Sequence, residues 1–230
     1  MIRIAFIGGY GVGKSSLTFT FSRYTEKKGL VVKTVNMDPG CKHIKYKADF
    51  DVRNYFSLEK VMQKEGLGPG GALKKIYEEA HENKKFKAGY DKVKADTVLI
   101  DTAGSLELFL LENASDFLRE IADIVVFVCD YESIQSTEDF LVLKTINAIQ
   151  TLKYALPTLT IVNKSDLRGK RKRQAKLLGG FKVIGEHLRN LMEEIGKEEK
   201  LIFVSAIEKE GFRELFDAIN EIRCECGDSR

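Results

Sequence analysis

A glycine-rich stretch near the amino terminus combines the residue types that bind phosphate. It runs from Gly8 to Ser16, between an apolar run and a segment of helical spacing, and it fits the pattern G-x-x-x-x-G-K-[ST]. Glycines let backbone N–H groups converge on phosphate oxygens, and the helix start behind them adds partial positive charge. Lys14 is expected to reach the β- and γ-phosphates, and the Ser15 hydroxyl to bind Mg²⁺. The expected nucleotide contacts are Gly9, Tyr10, Gly11, Val12, Gly13, Lys14, Ser15 and Ser16.

Two aspartates follow apolar runs that are predicted to be strands. Asp38 comes at the end of the run that starts at residue 30, and its carboxylate could hold a Mg²⁺-bound water or polarise the attacking one. Asp101 opens an Asp-x-x-Gly motif after the run 97–100, and Gly104 is expected to offer its N–H to the γ-phosphate. Ser15, Asp38 and Asp101 are therefore the predicted metal residues. A simple turn before Pro39 remains the alternative role for Asp38.

The motif Asn163-Lys164-Ser165-Asp166 follows the apolar run 158–162 and predicts the base. A carboxylate at Asp166 can accept from both N1–H and the exocyclic amine of guanine, and adenine presents no such pair of donors. Asn163 is expected to tie loops together, with the Lys164 stem along the base plane. The dipeptide Ser205-Ala206, after the last apolar run, suits a backbone contact with the guanine carbonyl. These residues predict a guanine nucleotide.

Apolar runs alternate with segments of helical spacing along most of the chain. This predicts an α/β protein, a three-layer P-loop NTPase fold with a mostly parallel sheet, in one P-loop GTPase domain over residues 1–230. Helices are expected at 14–28, about 106–121, about 133–153 and 211–223. Residues 41–95 interrupt the alternation and are expected to form a helical insertion. Within it, Ser57 would cap a helix ended by Gly66, and a tight loop containing Gly68-Pro69-Gly70 would lead to a second helix. A plain helix–helix turn is the other interpretation of that loop.

The composition excludes several classes of protein. Hydrophobic residues make up 43% and charged residues 31% of the chain, as in ordinary globular proteins, and the net charge of +3 does not by itself predict a nucleic-acid partner. No apolar run approaches the roughly 18 residues of a membrane span. Because Met1 leads directly into the first predicted strand, we expect no signal peptide. The cysteines, Cys41, Cys129, Cys224 and Cys226, are expected to be free thiols. We expect a cytoplasmic protein that does not contact a membrane.

One basic run follows the guanine motif. It contains Arg168, Lys170, Arg171, Lys172, Arg173 and Lys176. It could contact RNA or an acidic partner, but it has no interleaved aromatic residues for base stacking. A solvated helix face is the simpler interpretation.

With these motifs assembled, the chain resembles the GPN-loop GTPases, most closely the archaeal members. The resemblance covers nearly the whole length and extends into the insertion, which makes it more specific than a phosphate loop alone. Its residues, besides the general motifs, are Asn36-Met37-Asp38-Pro39, Asp51-Val52-Arg53-Asn54, Ser57-Leu58-Glu59, Val61-Met62, Gly68-Pro69, Gly71-Ala72-Leu73, Asp101-Thr102, Gly104 and Glu107-Leu108-Phe109.

The resemblance implies a homodimer in which loop 68–70 of each subunit reaches the active site of the partner. It also implies that Asp38, Asp101 and Glu107 help to bind Mg²⁺ or position water, so that the expected catalytic residues are Lys14, Asp38, Asp101 and Glu107. A residue at a helix start, favoured by the helix dipole, is the alternative role for Glu107.

The chain departs from the family pattern at three positions. The asparagine that gives the family its name is Gly70, the usual glutamine is Ser105, and Ala103 replaces a proline. Loss of a positioned donor typically lowers a rate a hundredfold or more, on the order of 3 kcal/mol. We therefore expect tight GTP binding with slow hydrolysis. A GTP-holding scaffold or assembly factor without useful turnover, and an RNA-associated factor acting through residues 168–176, are the alternatives.

Overall fold

The computed structural model describes residues 1–111, 114–134, 137–168 and 201–227. Its strands form one seven-stranded parallel sheet in the order β3-β2-β4-β1-β5-β6-β7. The strands are β1 (Ile2–Ile7), β2 (Val32–Met37), β3 (Phe50–Asp51), β4 (Thr97–Thr102), β5 (Ile124–Asp130), β6 (Thr158–Asn163) and β7 (Ile202–Phe203). This is the P-loop NTPase architecture that the sequence predicts.

The described α-helices lie between these strands or, for the last of them, after β7. They are α1 (Lys14–Glu26), α2 (Leu58–Glu65), α3 (Pro69–Glu82), α4 (Lys84–Tyr90), α5 (Leu106–Leu111), α6 (Ala114–Ile121), α7 (Thr137–Tyr154) and α8 (Phe212–Gly227). Short 3₁₀ helices lie at Val52–Asn54, Tyr131–Ile134 and Ser165–Leu167. Among the residues that the structure describes, no helix is long and apolar enough to cross a lipid bilayer.

Side chains on the two faces of the sheet form two separate cores. Successive residues of a strand point to opposite faces, so Ile4 and Phe6 of β1 pack on one side and Ala5 and Ile7 on the other. The first core contains α1 and α8, whose Phe21 and Phe212 rings meet edge to face at 5.6 Å. The second core contains the helices of the insertion together with α6. The sheet is thus buried on both faces, and the carboxyl ends of its strands are the edge where polar side chains gather.

The insertion at residues 41–95, expected to be largely helical, also contains one short strand. Phe50 and Asp51 form β3, which pairs in parallel with β2 and extends the sheet by one strand. The carboxylate of Asp49 fixes this register, because it accepts hydrogen bonds from the Thr34 N–H at 2.9 Å and the Lys33 ammonium at 2.6 Å. A strand of two residues is too short to produce an alternating pattern, so the sequence did not reveal it.

The predicted ends of α2 are confirmed, but the expected loop after it is shorter than predicted. Ser57 accepts from the Lys60 N–H at 3.3 Å, and Gly66 ends the helix with φ +64°. The next helix begins at Pro69, because proline suits the first helical position, so Gly70 lies in the first turn of α3 and not in a loop.

Of the helix expected at about 106–121, the described residues form α5 and α6, and residues 112–113 lie outside them. One other boundary differs from the prediction. The helix expected at 133–153 is preceded by a separate 3₁₀ turn at 131–134. Of the basic run, only Arg168 belongs to the described residues, and its guanidinium lies 5.6 Å from the centre of the Phe203 ring. The rest of the run, at 170–176, lies outside them.

Candidate functional site

The glycine-rich stretch forms a loop between β1 and α1 that encloses the Lys14 ammonium. Lys14 Nζ donates to the carbonyl oxygens of Gly8 at 3.0 Å and Gly9 at 2.9 Å. Burial lowers the pKa of this ammonium, and the charges of Asp101 and Asp38 act in the opposite direction. The loop therefore places a buried cation at the amino-terminal end of α1, where it would face bound phosphate.

Two glycines of the site lie in close contact with other segments. Gly13 has φ +94°, and a Cβ there would overlap Nδ2 of Asn163. A Cβ at Gly104 would lie 2.6 Å from Cδ1 of Tyr10. The Tyr10 ring, which is 74% exposed, thus covers Gly104 directly, and the phosphate loop and the end of β4 are in contact. The phosphate loop therefore contacts both the Asn163 segment and the Gly104 segment.

Asp101 and Asp38 lie at the ends of neighbouring strands beside Lys14. Burial raises the pKa of Asp101 to about 6, although the Ser15 and Tyr46 side chains and the Lys14 charge lower it. Burial also raises the pKa of Asp38, whose Oδ1 accepts from the Gly40 N–H at 2.8 Å. In this part of the structure, the Oδ1 atom of Asp101 is buried without a hydrogen-bond partner.

These donors fit Mg²⁺. Magnesium prefers oxygen ligands and is usually held by one or two carboxylates together with substrate phosphates and water. The Ser15 hydroxyl and the unpartnered Asp101 oxygen supply such ligands, and Asp38 is close enough to influence the pKa of both Lys14 and Asp101. No group of three or more His, Cys, Asp or Glu side chains that could hold a metal by itself occurs among the described residues. The donor set therefore suits a metal that arrives with a nucleotide.

The connection between β2 and β3 lies over this site, which the sequence analysis missed. The Tyr46 hydroxyl donates to Oδ2 of Asp101 at 3.0 Å, and Lys45 Nζ donates to the Ser16 hydroxyl at 3.0 Å. Neither residue stands in a motif or in a periodic segment, so the sequence contained no signal for them.

The guanine motif and the last strand are joined to the phosphate loop through Asn163. Its Nδ2 donates to the Val12 carbonyl at 2.9 Å, and its Oδ1 accepts from the Ala206 N–H at 3.2 Å. The Asp166 carboxylate accepts from the Ser205 hydroxyl at 2.6 Å. Three segments that are distant along the chain thus form one continuous rim.

Asp130 is a further residue that sequence reasoning missed. Its carboxylate forms an ion pair with the Lys164 ammonium at 2.8 Å and accepts from the Ser133 N–H at 3.0 Å. Burial opposes ionisation, but the hydrogen bonds from Lys164 and Ser133 keep the pKa of Asp130 below its usual value. A signal was available, because Asp130 ends the apolar strand β5 and pairs in register with Asn163.

Two predicted residues lie in open positions. Glu107 is exposed in the first turn of α5. Gly70 is exposed in the first turn of α3, and a Cβ there would meet no described atom within 4 Å. The remaining predicted residues of the phosphate loop, the strand ends and the guanine motif are brought together.

A parallel sheet with a phosphate loop after its first strand and a base motif after β6 defines a P-loop nucleotide-binding protein. A family model described as "conserved hypothetical ATP binding protein" matches residues 6–225. A GPN-loop GTPase of Pyrococcus abyssi (strain GE5 / Orsay) is 29% identical, with 98% of each chain covered. GPN-loop GTPase 3 of Dictyostelium discoideum is 27% identical over 84% of this chain and 69% of its own length. The chain therefore belongs to this family of nucleotide-binding proteins, the GPN-loop GTPases.

The fold is also similar to a solved structure. The crystal structure of a GTPase in apo form from Pyrococcus abyssi matches with a TM-score of 0.80 and 28% identity, over 97% of this chain and 98% of the other.

Proposed function

We propose that this protein binds GTP with Mg²⁺ and hydrolyses it slowly to GDP and phosphate in the cytoplasm. The observation that carries the proposal is the pair of hydrogen bonds that Asn163 makes, donating to the Val12 carbonyl and accepting from the Ala206 N–H. These hydrogen bonds fix the separation between the phosphate loop and the guanine motif, so that a single nucleotide can span both.

The geometry at Asp166 supports guanine over adenine. The carboxylate has one hydrogen bond from the Ser205 hydroxyl, which fixes its orientation and leaves acceptor capacity for two N–H donors of guanine. Adenine would present an acceptor at N1, and an unmatched polar contact lowers affinity by about tenfold or more. The family model's description mentions ATP, but the side chains at this position favour GTP.

The residues of this chain would act mainly by charge and position. Lys14 and the loop N–H groups would stabilise the charge that develops on the γ-phosphate, and Gly104 would donate its N–H to the same group. Mg²⁺, when bound, supplies further neutralisation of phosphate charge, and Ser15, Asp101 and Asp38 are the residues that would hold it. Asp38 and Glu107 are the candidates for orienting the attacking water.

Slow turnover follows from what the site lacks. Gly70 and Ser105 stand where the family resemblance places amide side chains, and neither can donate a side-chain N–H to phosphate or water. Glu107, a candidate for orienting the attacking water, is exposed in the first turn of α5. A scaffold that holds GTP without useful turnover is therefore the second candidate function. The two are separated by multiple-turnover phosphate release, because a scaffold would give a stoichiometric burst or none.

Isothermal calorimetry with GTP and ATP in the presence of Mg²⁺ tests the proposal. Wild-type protein should prefer GTP at least about a hundredfold. Lys14→Ala should lose binding, whereas Lys27→Ala, an exposed lysine at the other end of α1, should bind as wild type does. Asp166→Asn should lose affinity for GTP and gain affinity for xanthosine triphosphate. The reason is that the amide can donate to the carbonyl that xanthine has in place of the exocyclic amine of guanine. A preference for ATP, or tight GTP binding by Lys14→Ala, would contradict the assignment.

A further inference from the structure

Tyr77 of α3 connects the insertion to the ends of both strands that carry the catalytic aspartates. Its hydroxyl donates to the carbonyl of Met37 at 2.7 Å and accepts from the N–H of Ala103 at 3.4 Å. Met37 ends β2 directly before Asp38, and Ala103 lies between the Asp101-Thr102 end of β4 and Gly104. One hydroxyl group therefore contacts both segments that would surround the γ-phosphate.

The surroundings of Tyr77 hold this hydroxyl in place. The side chain is only 2% exposed, and its ring stacks on Phe117 of α6 with centroids 5.1 Å apart and planes 18° apart. Burial raises the pKa of Tyr77, so the hydroxyl remains protonated and can donate to Met37. An isolated buried hydroxyl would be unfavourable, and here both its donor and its acceptor capacity are used.

Tyr77 also lies on the helix that begins with the divergent family segment. Gly70 and Tyr77 are seven residues apart, which is two turns and about 10.5 Å along α3, so they share one face. Because a helix moves as a rigid body over this length, a shift of its first turn would be transmitted to the Tyr77 hydroxyl.

We propose that Tyr77 is a positioning residue for hydrolysis, coupling α3 and its first turn to the ends of β2 and β4. The inference rests on the proposed GTPase function. It assigns Tyr77 no contact with the nucleotide: the hydroxyl acts through the backbone that places Asp38 and Gly104. Its removal should therefore affect the rate of hydrolysis more than the affinity for GTP.

Tyr90→Phe provides a matched control. Like Tyr77, Tyr90 belongs to the insertion, is buried, and donates its hydroxyl to a backbone carbonyl, that of Ile121 at 2.5 Å. It lies near Arg3 at the start of β1, away from the strand ends that carry the site. A purely structural role would make the two tyrosine-to-phenylalanine changes equivalent.

The test compares Tyr77→Phe, Tyr90→Phe and wild type in three measurements. These are GTP affinity, the single-turnover rate of hydrolysis, and hydrogen exchange of the Ala103 amide in nucleotide-free protein. Tyr77→Phe should hydrolyse about three- to tenfold more slowly with affinity within about twofold, since the two neutral hydrogen bonds of the hydroxyl are lost. Its Ala103 amide should exchange about fivefold faster. Tyr90→Phe should change none of the three.

Equal effects of the two variants, or no change in Tyr77→Phe, would overturn the positioning role. So would a loss of GTP affinity at an unchanged rate. Absence of hydrolysis by wild-type protein would instead contradict the proposed function, and with it the catalytic part of this inference. The wild-type measurement comes first, so the two failures are distinguished.

Discussion

At the scale of single residues, the Asn163 side chain links the phosphate loop to the segment that contains Ala206. Its amide contacts the phosphate loop 151 residues earlier in the chain and the Ala206 amide 43 residues later. The fit leaves no room for a larger residue at Gly13, where the backbone is also left-handed with φ +94°. Two effects, strain and overlap, can therefore be separated by substitution.

We predict that Gly13→Ala destabilises the nucleotide-free protein by about 2–4 kcal/mol. The left-handed backbone contributes about 1–2 kcal/mol for a residue with a Cβ, and displacement of Asn163 removes hydrogen bonds worth about 1 kcal/mol each. Gly11→Ala is the matched control, because Gly11 has φ +74° and open space around its Cβ position. Gly11→Ala should lose only the roughly 1–2 kcal/mol that comes from the left-handed backbone. Urea unfolding without nucleotide measures both, and equal losses would argue against the Asn163 contact.

A second prediction at this scale concerns pH. Burial raises the pKa of Cys129 to about 12, and its thiol donates to the Ile161 carbonyl at 3.3 Å. A folded-state pKa above the unfolded value of about 9 means that the stabilisation is complete below pH 9 and is lost as pH rises toward 12. From pH 8 to pH 10, wild type should lose about 1.4 kcal/mol more unfolding free energy than Cys129→Val.

Urea unfolding of both proteins at the two pH values, with a reducing agent present, checks this difference. Other titrating groups, including the half-buried Cys41, are common to both proteins and cancel in the comparison. Parallel pH dependence of the two proteins would mean that the Cys129 thiol ionises as freely in the folded chain as in the unfolded one.

At the scale of elements, the start of α3 decides how the family segment is used here. Gly68 caps the helix and Pro69 opens it, so Gly70 occupies helical backbone at which any residue can be placed. An asparagine there would have open space and an exposed amide. The helix does not prevent the family residue; the chain simply lacks it.

We predict that Gly70→Asn folds normally and hydrolyses GTP faster, by up to about a hundredfold, because it restores an amide donor. Gly70→Ala is the control: it should share the gain in helix stability of a few tenths of a kcal/mol or more, without the gain in rate. Single-turnover phosphate release for the three proteins decides the matter. An asparagine variant as slow as the alanine variant would make this departure irrelevant to catalysis.

At the scale of the whole molecule, the insertion leaves apolar groups at its surface. None of the described side chains of α2 is fully buried, although Leu58 and Val61 pack partly against the core, and Leu67 after it is 37% exposed. The same surface includes the first turn of α3, with Gly70. Contact between two copies through it would bring the two insertions together, in agreement with the dimer that the family resemblance implies.

We predict a homodimer whose population depends on the nucleotide. Multi-angle light scattering should give twice the 26.0 kDa of one chain with a non-hydrolysable GTP analogue. Leu67→Glu should shift the mass toward one chain, because a charge would then be buried without a partner. Lys27→Glu, at an exposed site on α1, should not. A single-chain mass for wild type under every nucleotide condition would exclude the dimer at the concentrations tested.

The sequence by itself determined the parts of the site that depend on local order. The phosphate loop, the strand-end aspartates and the guanine motif each lie within a few residues of one strand, so residue type and spacing were enough to predict them. The alternation of apolar runs and helical segments likewise predicted a parallel α/β sheet, which the structure confirms.

Only the tertiary structure decided which distant segments meet. The edge strand β3, the ion pair of Lys164 with Asp130, the contact of Tyr46 with Asp101 and the bridge from Tyr77 to Met37 and Ala103 all depend on the order of strands in the sheet. Local periodicity carries no information about that order. Strand order is set by contacts between residues that are far apart in the chain, and these contacts stabilise the fold only after the intervening chain has closed into a loop. The sequence therefore predicted the candidate binding residues and the linking role of Asn163, whereas the supporting contacts of Tyr46, Tyr77 and Asp130 became visible only in the structure.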